Sequence, residues 1–182
     1  MPIQPRSSAS RLQQGILMAL MASFGTACSA TSRIETAEIT TVRGKPCFSI
    51  PHNFETRNGI PLYGVVVNDP KPAEFGTRPP PLWRFSVSPP GNSVMMRPGE
   101  CIGYGEKPDN ATAMLGPAKS LEPYYVYSVS LDARPPASNV ANYYGQFCMK
   151  PAANGTLTVQ TVSTDRSDKS RFEVCAKPSI AP

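Results

Sequence analysis

Proline does most to limit what this chain can become. There are 21 prolines in 182 residues, more than twice the usual share of about 5%. Each lacks a backbone N–H and clashes with the carbonyl one helical turn back, so a long helix cannot hold them in its interior. No stretch after residue 30 keeps an apolar period of 3.6 residues for three turns. A helical bundle and a coiled coil are therefore excluded. Hydrophobic residues still make up 40% of the chain, enough to bury a core, so disorder throughout is excluded too. The net charge of +5 is scattered rather than gathered in a stripe, which is not the footprint of a nucleic-acid binder.

What remains is an all-β chain. Short apolar runs alternate with Pro, Gly and Asn punctuation. Residues 38–42 and 47–50, joined through Arg43-Gly44-Lys45-Pro46, form an expected opening hairpin. Further strands are expected at 62–68, 82–88, 100–104, 124–131, 145–150, 157–162 and 171–176. In 82–88, Trp83, Phe85 and Val87 fall on one face and Arg84 and Ser86 on the other. In 124–131, Tyr125, Tyr127, Val129 and Leu131 oppose Ser128 and Ser130. A period of two is what a half-buried strand requires. About nine strands without helices imply a two-layer antiparallel β-sandwich of the immunoglobulin-like kind.

The N-terminus reads as an export signal. Arg6 and Arg11 precede a ten-residue apolar run at 15–24, too short for a membrane-spanning helix of about 20 residues. Small residues then lead to Cys28. A small residue directly before a Cys after an apolar run fits a bacterial lipoprotein signal, in which the Cys is acylated and becomes the new N-terminus. Cleavage after Ala30 is the alternative. The expected organisation is a signal peptide at 1–27, a lipidated Cys28 with a short tether at 28–36, and one sandwich domain at 37–182. Ser29, rather than Asp, after the Cys points to the outer membrane, facing the periplasm.

Both routes leave Cys47, Cys101, Cys148 and Cys175 in an oxidising compartment. Four cysteines there imply two disulfides, with three connectivities open. All four fall in expected strands. If 145–150, 157–162 and 171–176 form a meander, Cys148 and Cys175 stand two strand spacings apart, about 9.6 Å, which disfavours that pair.

Catalytic constellations are thin. His52 is the single histidine and no Gly-x-Ser-x-Gly elbow accompanies it. The acids are scattered, and Asp165 and Asp168 lack the glycine and closing Glu of a calcium loop. No enzyme activity, metal, cofactor or small-molecule substrate is expected. The Pro-rich loops at 69–81 and 89–98 should be stiff. Phe75, Met95 and Met96 are apolar residues within them and are the candidates for contact with a partner.

Several motifs occur in order: GKPCFSIP at 44–51, RNGIPLYGVVV at 57–67, LWRFSV at 82–87, RPGECIGYG at 97–105, LEPYYVYSVSLDARP at 121–135 and GQFCMK at 145–150. Together they resemble the type VI secretion immunity periplasmic lipoproteins, over nearly all of the mature chain. The resemblance implies a protein that binds a secreted toxin effector in the periplasm and blocks it. It assigns no catalytic residue. Loops at one end of the sandwich, covering the toxin, are the expected means. A structural or assembly lipoprotein of the envelope or a secretion machine is the competing expectation.

Overall fold

The computed structural model describes residues 32–69, 81–87, 93–113, 117–136, 138–165 and 167–178. The signal segment at 1–27, Cys28 and Phe75 lie outside them. Among the described residues there are eleven strands, against the nine expected, and one short 3-10 turn, Glu173–Cys175. The strands are β1 Arg33–Thr36, β2 Glu38–Val42, β3 Lys45–Ser49, β4 Ile60–Asn68, β5 Trp83–Ser86 and β6 Val94–Met96. They continue with β7 Ile102–Gly103, β8 Thr112–Ala113, β9 Val126–Ala133, β10 Val140–Pro151 and β11 Leu157–Val162.

They form two sheets. The larger has the order β1-β10-β9-β4-β5-β8, with β11 also on β10 and β6 also on β4. The smaller is β2-β3-β7. All pairings between these strands are antiparallel except that of β1 with β10.

The opening hairpin forms, but with a two-residue turn at Arg43-Gly44 in place of the four residues expected, so that Lys45 and Pro46 already belong to β3. Arg43 and Gly44 both have positive φ, 51° and 75°. That is the two-residue turn whose twist matches antiparallel strands. The chain enters it by changing sheets: β1 ends on the large sheet, Ala37 donates its N–H to the Tyr144 carbonyl at 2.9 Å, and β2 opens the small one. Such a switch makes a sandwich corner. Thr41 of β2 then accepts the Val159 N–H of β11 at 2.7 Å, joining the edges of the two sheets and blunting one of them.

One core lies between the sheets. Phe48 of the small sheet, fully buried, stacks 6.3 Å from Trp83 and meets Phe147 at 5.6 Å. Trp83 meets Phe85 and Tyr104, each at 5.5 Å. The alternations read from sequence hold within the strands: Trp83, Phe85 and Val87 are buried, as are Tyr127, Val129 and Leu131, while Tyr125 precedes β9 and is half-buried, and Ala133 extends the buried face. Each large apolar side chain so buried contributes about 1.5–3 kcal/mol. Trp83 belongs to this core.

The C-terminal strand expected at 171–176 does not form. Residues 167–175 run through turns into the 3-10 helix. Asp165 accepts the Ser167 N–H and hydroxyl, and Asp168 those of Ser170. These local bonds compete with a ladder. The strand expected at 100–104 shrinks to Ile102–Gly103. Two of the four cysteines, Cys101 and Cys175, therefore lie outside strands.

The disulfides are Cys47–Cys101 and Cys148–Cys175, with Cα separations of 5.5 and 5.9 Å. The second corrects the meander expectation. With no strand at 171–176, Cys175 folds over the back of β10 instead of lying two strands away. There Cys148, Val162 and Cys175 are buried together, with Val126 and Val174 packed against them.

Candidate functional site: the two ends of the sandwich

The register of β4 defines two ends. At its start Ile60 pairs with Met96. At its finish Asn68 pairs with Ser128 and Val67 with Trp83. Eight steps at about 3.3 Å separate them by roughly 26 Å. The first end also carries the start of β1, where Arg33 pairs with Val140. It is called the tether end, for the tether expected ahead of it; of the residues assigned to that tether, 33–36 instead form β1 of the large sheet. The other end carries the hairpin tip and the turn between β10 and β11, and is the distal end.

The described flanks of the loops at 69–81 and 89–98 do not sit together, contrary to expectation. Asp69 and Leu82, which flank the first, are distal, whereas Val87 and Val94 stand beside Tyr63 and Leu62, partway along β4, and residues 94–96 run on toward the tether end. Met95 and Met96 are not in a loop but in β6, whose alternation splits them. Met96 is 3% exposed and joins the core, and Met95 is 50% exposed. Reading 89–98 as a loop hid this, since only in a strand do adjacent residues face opposite ways.

The distal end holds a groove of about 450 Å³. Its walls are the hairpin tip at Gly44 and Lys45, and the segment 117–121; Met149 and Leu157 line it as well. The second wall is held by two tyrosines rooted in the core. The Tyr104 hydroxyl donates to the Lys119 carbonyl at 2.8 Å, and the Tyr127 hydroxyl accepts the Glu122 N–H at 2.7 Å. Lys119 in turn donates its N–H to the Leu82 carbonyl at 3.3 Å, so the wall adjoins the flank of loop 69–81. Burial, aided by Tyr127, pushes the Tyr104 phenol up to about 12; burial also raises Tyr127. Both stay neutral and able to donate. Lys45 and Lys119 are exposed on the rim, with Leu121 and Leu157 half-buried below. An apolar side chain flanked by carboxylates would fit there.

At the tether end, Asn53 organises the loop before β4. Its side-chain oxygen accepts the N–H groups of Glu55 and Thr56 at 2.9 and 3.0 Å. Thr56 is fully buried. The turn thrusts Phe54 into solvent, 77% exposed, with the Arg57 guanidinium 4.4 Å from its ring centre. His52, Arg57 and Arg97 line a shallow concavity with Glu38. His52 is exposed. Among the described residues no three His, Cys, Asp or Glu side chains gather as metal ligands, and no helix is long and apolar enough to cross a membrane.

The sequence reading missed Tyr104, Lys119 and Phe54. A signal for Phe54 was present: an aromatic residue between Asn53 and Thr56 in a segment that is not a strand. No family model, curated protein or solved structure matches the chain.

Proposed function

We propose that this chain is a periplasmic lipoprotein, anchored to the outer membrane through Cys28, that acts as an immunity protein. It binds a type VI secretion toxin effector and neutralises it by occlusion rather than by catalysis. The single observation that carries the reading is the distal groove. It lies at the end away from the start of β1, its wall is pinned by Tyr104 and Tyr127, and it adjoins the flank of the Pro-rich loop 69–81. A preorganised wall loses little entropy on docking, and loops on a rigid scaffold are where binding concentrates. The ordered motifs that resemble those of the immunity lipoproteins point the same way. The reading takes the sandwich as immunoglobulin-like, supported by two antiparallel-rich sheets and the single tryptophan, Trp83, buried beneath the smaller one.

The test is a pull-down from envelope extracts followed by toxicity rescue with the recovered protein. Lys45→Glu with Lys119→Glu, both on the exposed rim, should abolish rescue while the domain stays folded. Full protection by that variant, or loss of protection in His52→Ala alone, overturns occlusion at the distal end. Cys28→Ser should release the protein from membranes.

A further inference from the structure

We infer that the tether end, led by Phe54 and Arg57, docks onto the phospholipid surface. This rests on the lipidation of Cys28 proposed above. From Cys28 to Arg33 is five residue steps, and even a fully extended chain spans about 3.5 Å per step, or roughly 17 Å. The start of β1 is thereby held close to the bilayer, together with whatever surrounds it. Arg33 is ion-paired through its guanidinium to Glu55 at 2.8 Å, and Phe54 is the next residue in the same turn. The tether therefore presents the most exposed large apolar side chain among the described residues to the membrane surface.

The chemistry of the turn suits that surface. Phe, Trp or Leu together with Lys or Arg is the composition that amphipathic surfaces present to the headgroup–acyl boundary. Arg57 stacks on Phe54, so its guanidinium can meet lipid phosphate while the ring enters the acyl boundary. Arg97 lies in the same concavity as Glu38 and is ion-paired to Glu100 at 3.6 Å, with both side chains of that pair exposed. Met95, half exposed, neighbours Arg97 across Gly59. Arg33 adds no positive charge for the lipid, because two carboxylates, Glu35 and Glu55, pair with it and outweigh it by one. The turn is held by Asn53 and the buried Thr56, so Phe54 is displayed at little further cost in ordering. Docking this end turns the distal groove outward into the periplasm.

Phe54→Trp, made in the exported and processed protein, tests the proposal. The protein is reconstituted in vesicles of phosphatidylethanolamine and phosphatidylglycerol, with acyl chains brominated in half the samples. The introduced indole should lose most of its emission in brominated vesicles and be shielded from aqueous iodide. The parent protein, with only the buried Trp83, should lose little. Adding Arg57→Glu to the Phe54→Trp protein should restore most of the lost emission. Mass spectrometry of the same sample reads acylation of Cys28. Acylated protein whose introduced indole is not quenched overturns the docking and leaves lipidation standing. Absence of the acyl group removes the tether and overturns both. Shielding of that indole from iodide only when a protein partner is added also overturns the proposal, since it assigns the turn to that partner.

Discussion

Cys175 is bonded to Cys148 on the back of β10, with Val162 and Val174 packed around the bridge. The bridge fastens a segment that no sheet ladder holds, because the described residues of 163–178 contribute no strand. A second, smaller core therefore exists outside the main one, closed by a covalent bond rather than by strand pairing.

Replacing both cysteines, as Cys148→Ser with Cys175→Ser, should leave the sandwich folded and free the C-terminal segment. The closed loop spans 27 residues, for which the chain-entropy estimate is about 3.5 kcal/mol. Denaturant unfolding should show that loss. Hydrogen exchange should show lost protection in residues 167–178 and retained protection in β4 and β9. Uniform loss across all strands would refute the view of a separate fastened segment.

Tyr104→Phe removes the hydroxyl that pins the groove wall at Lys119. The ring stays, so packing against Trp83 is kept. Stability should fall by about 1 kcal/mol, the usual net value of one hydrogen bond. Exchange at the amides of 117–121 should rise. Unchanged exchange there would show that the wall holds without its peg.

Tyr143 offers the opposite case. It is fully buried, and among the described residues its hydroxyl has no hydrogen-bond partner. An unpaired buried hydroxyl costs about 1–3 kcal/mol. Tyr143→Phe should therefore leave stability unchanged or raise it, as a shift in the urea midpoint. A clear loss would mean that the hydroxyl is satisfied in solution.

Alkaline pH should destabilise the domain through the same tyrosines. Burial first, then Glu55 and Glu35, pushes Tyr143 up to about 12, as burial does for Tyr104. Their unfolded values lie near 10. Between about pH 10 and 12 the unfolded chain has released protons that the folded one still binds, so stability falls as pH rises. The loss is at most about 1.4 kcal/mol per pH unit for each tyrosine. It is absent below the unfolded value. Urea unfolding followed across this window, with tyrosinate absorbance alongside, checks both sign and range.

Gly64→Ala should cost about 1–3 kcal/mol through overpacking. A Cβ at Gly64 would lie 2.9 Å from the Phe85 carbonyl oxygen and 3.5 Å from the Ser86 Cα. Both are backbone atoms of the paired strand β5, so no side chain can move aside. Thermal unfolding of the variant reads the cost, and a stability equal to the parent's would show that β5 yields freely.

The all-β class, the opening hairpin, the faces of β5 and β9 and the presence of two disulfides were all legible in the sequence, because each rests on local facts. Proline denies helices, a period of two fixes which side chains go inward, and Arg43-Gly44 suits a tight turn. Which cysteines pair was not legible, because pairing depends on where Cys175 comes to rest once 171–176 fails to find a ladder. Long-range pairing with β4 likewise made Met96 core and Met95 surface, in a stretch that reads as a loop when taken alone. The distal groove was hidden for the same reason. Its walls come from residues 44–45 and 117–121, distant in sequence, and only the tertiary packing of Tyr104 and Tyr127 brings them to one place.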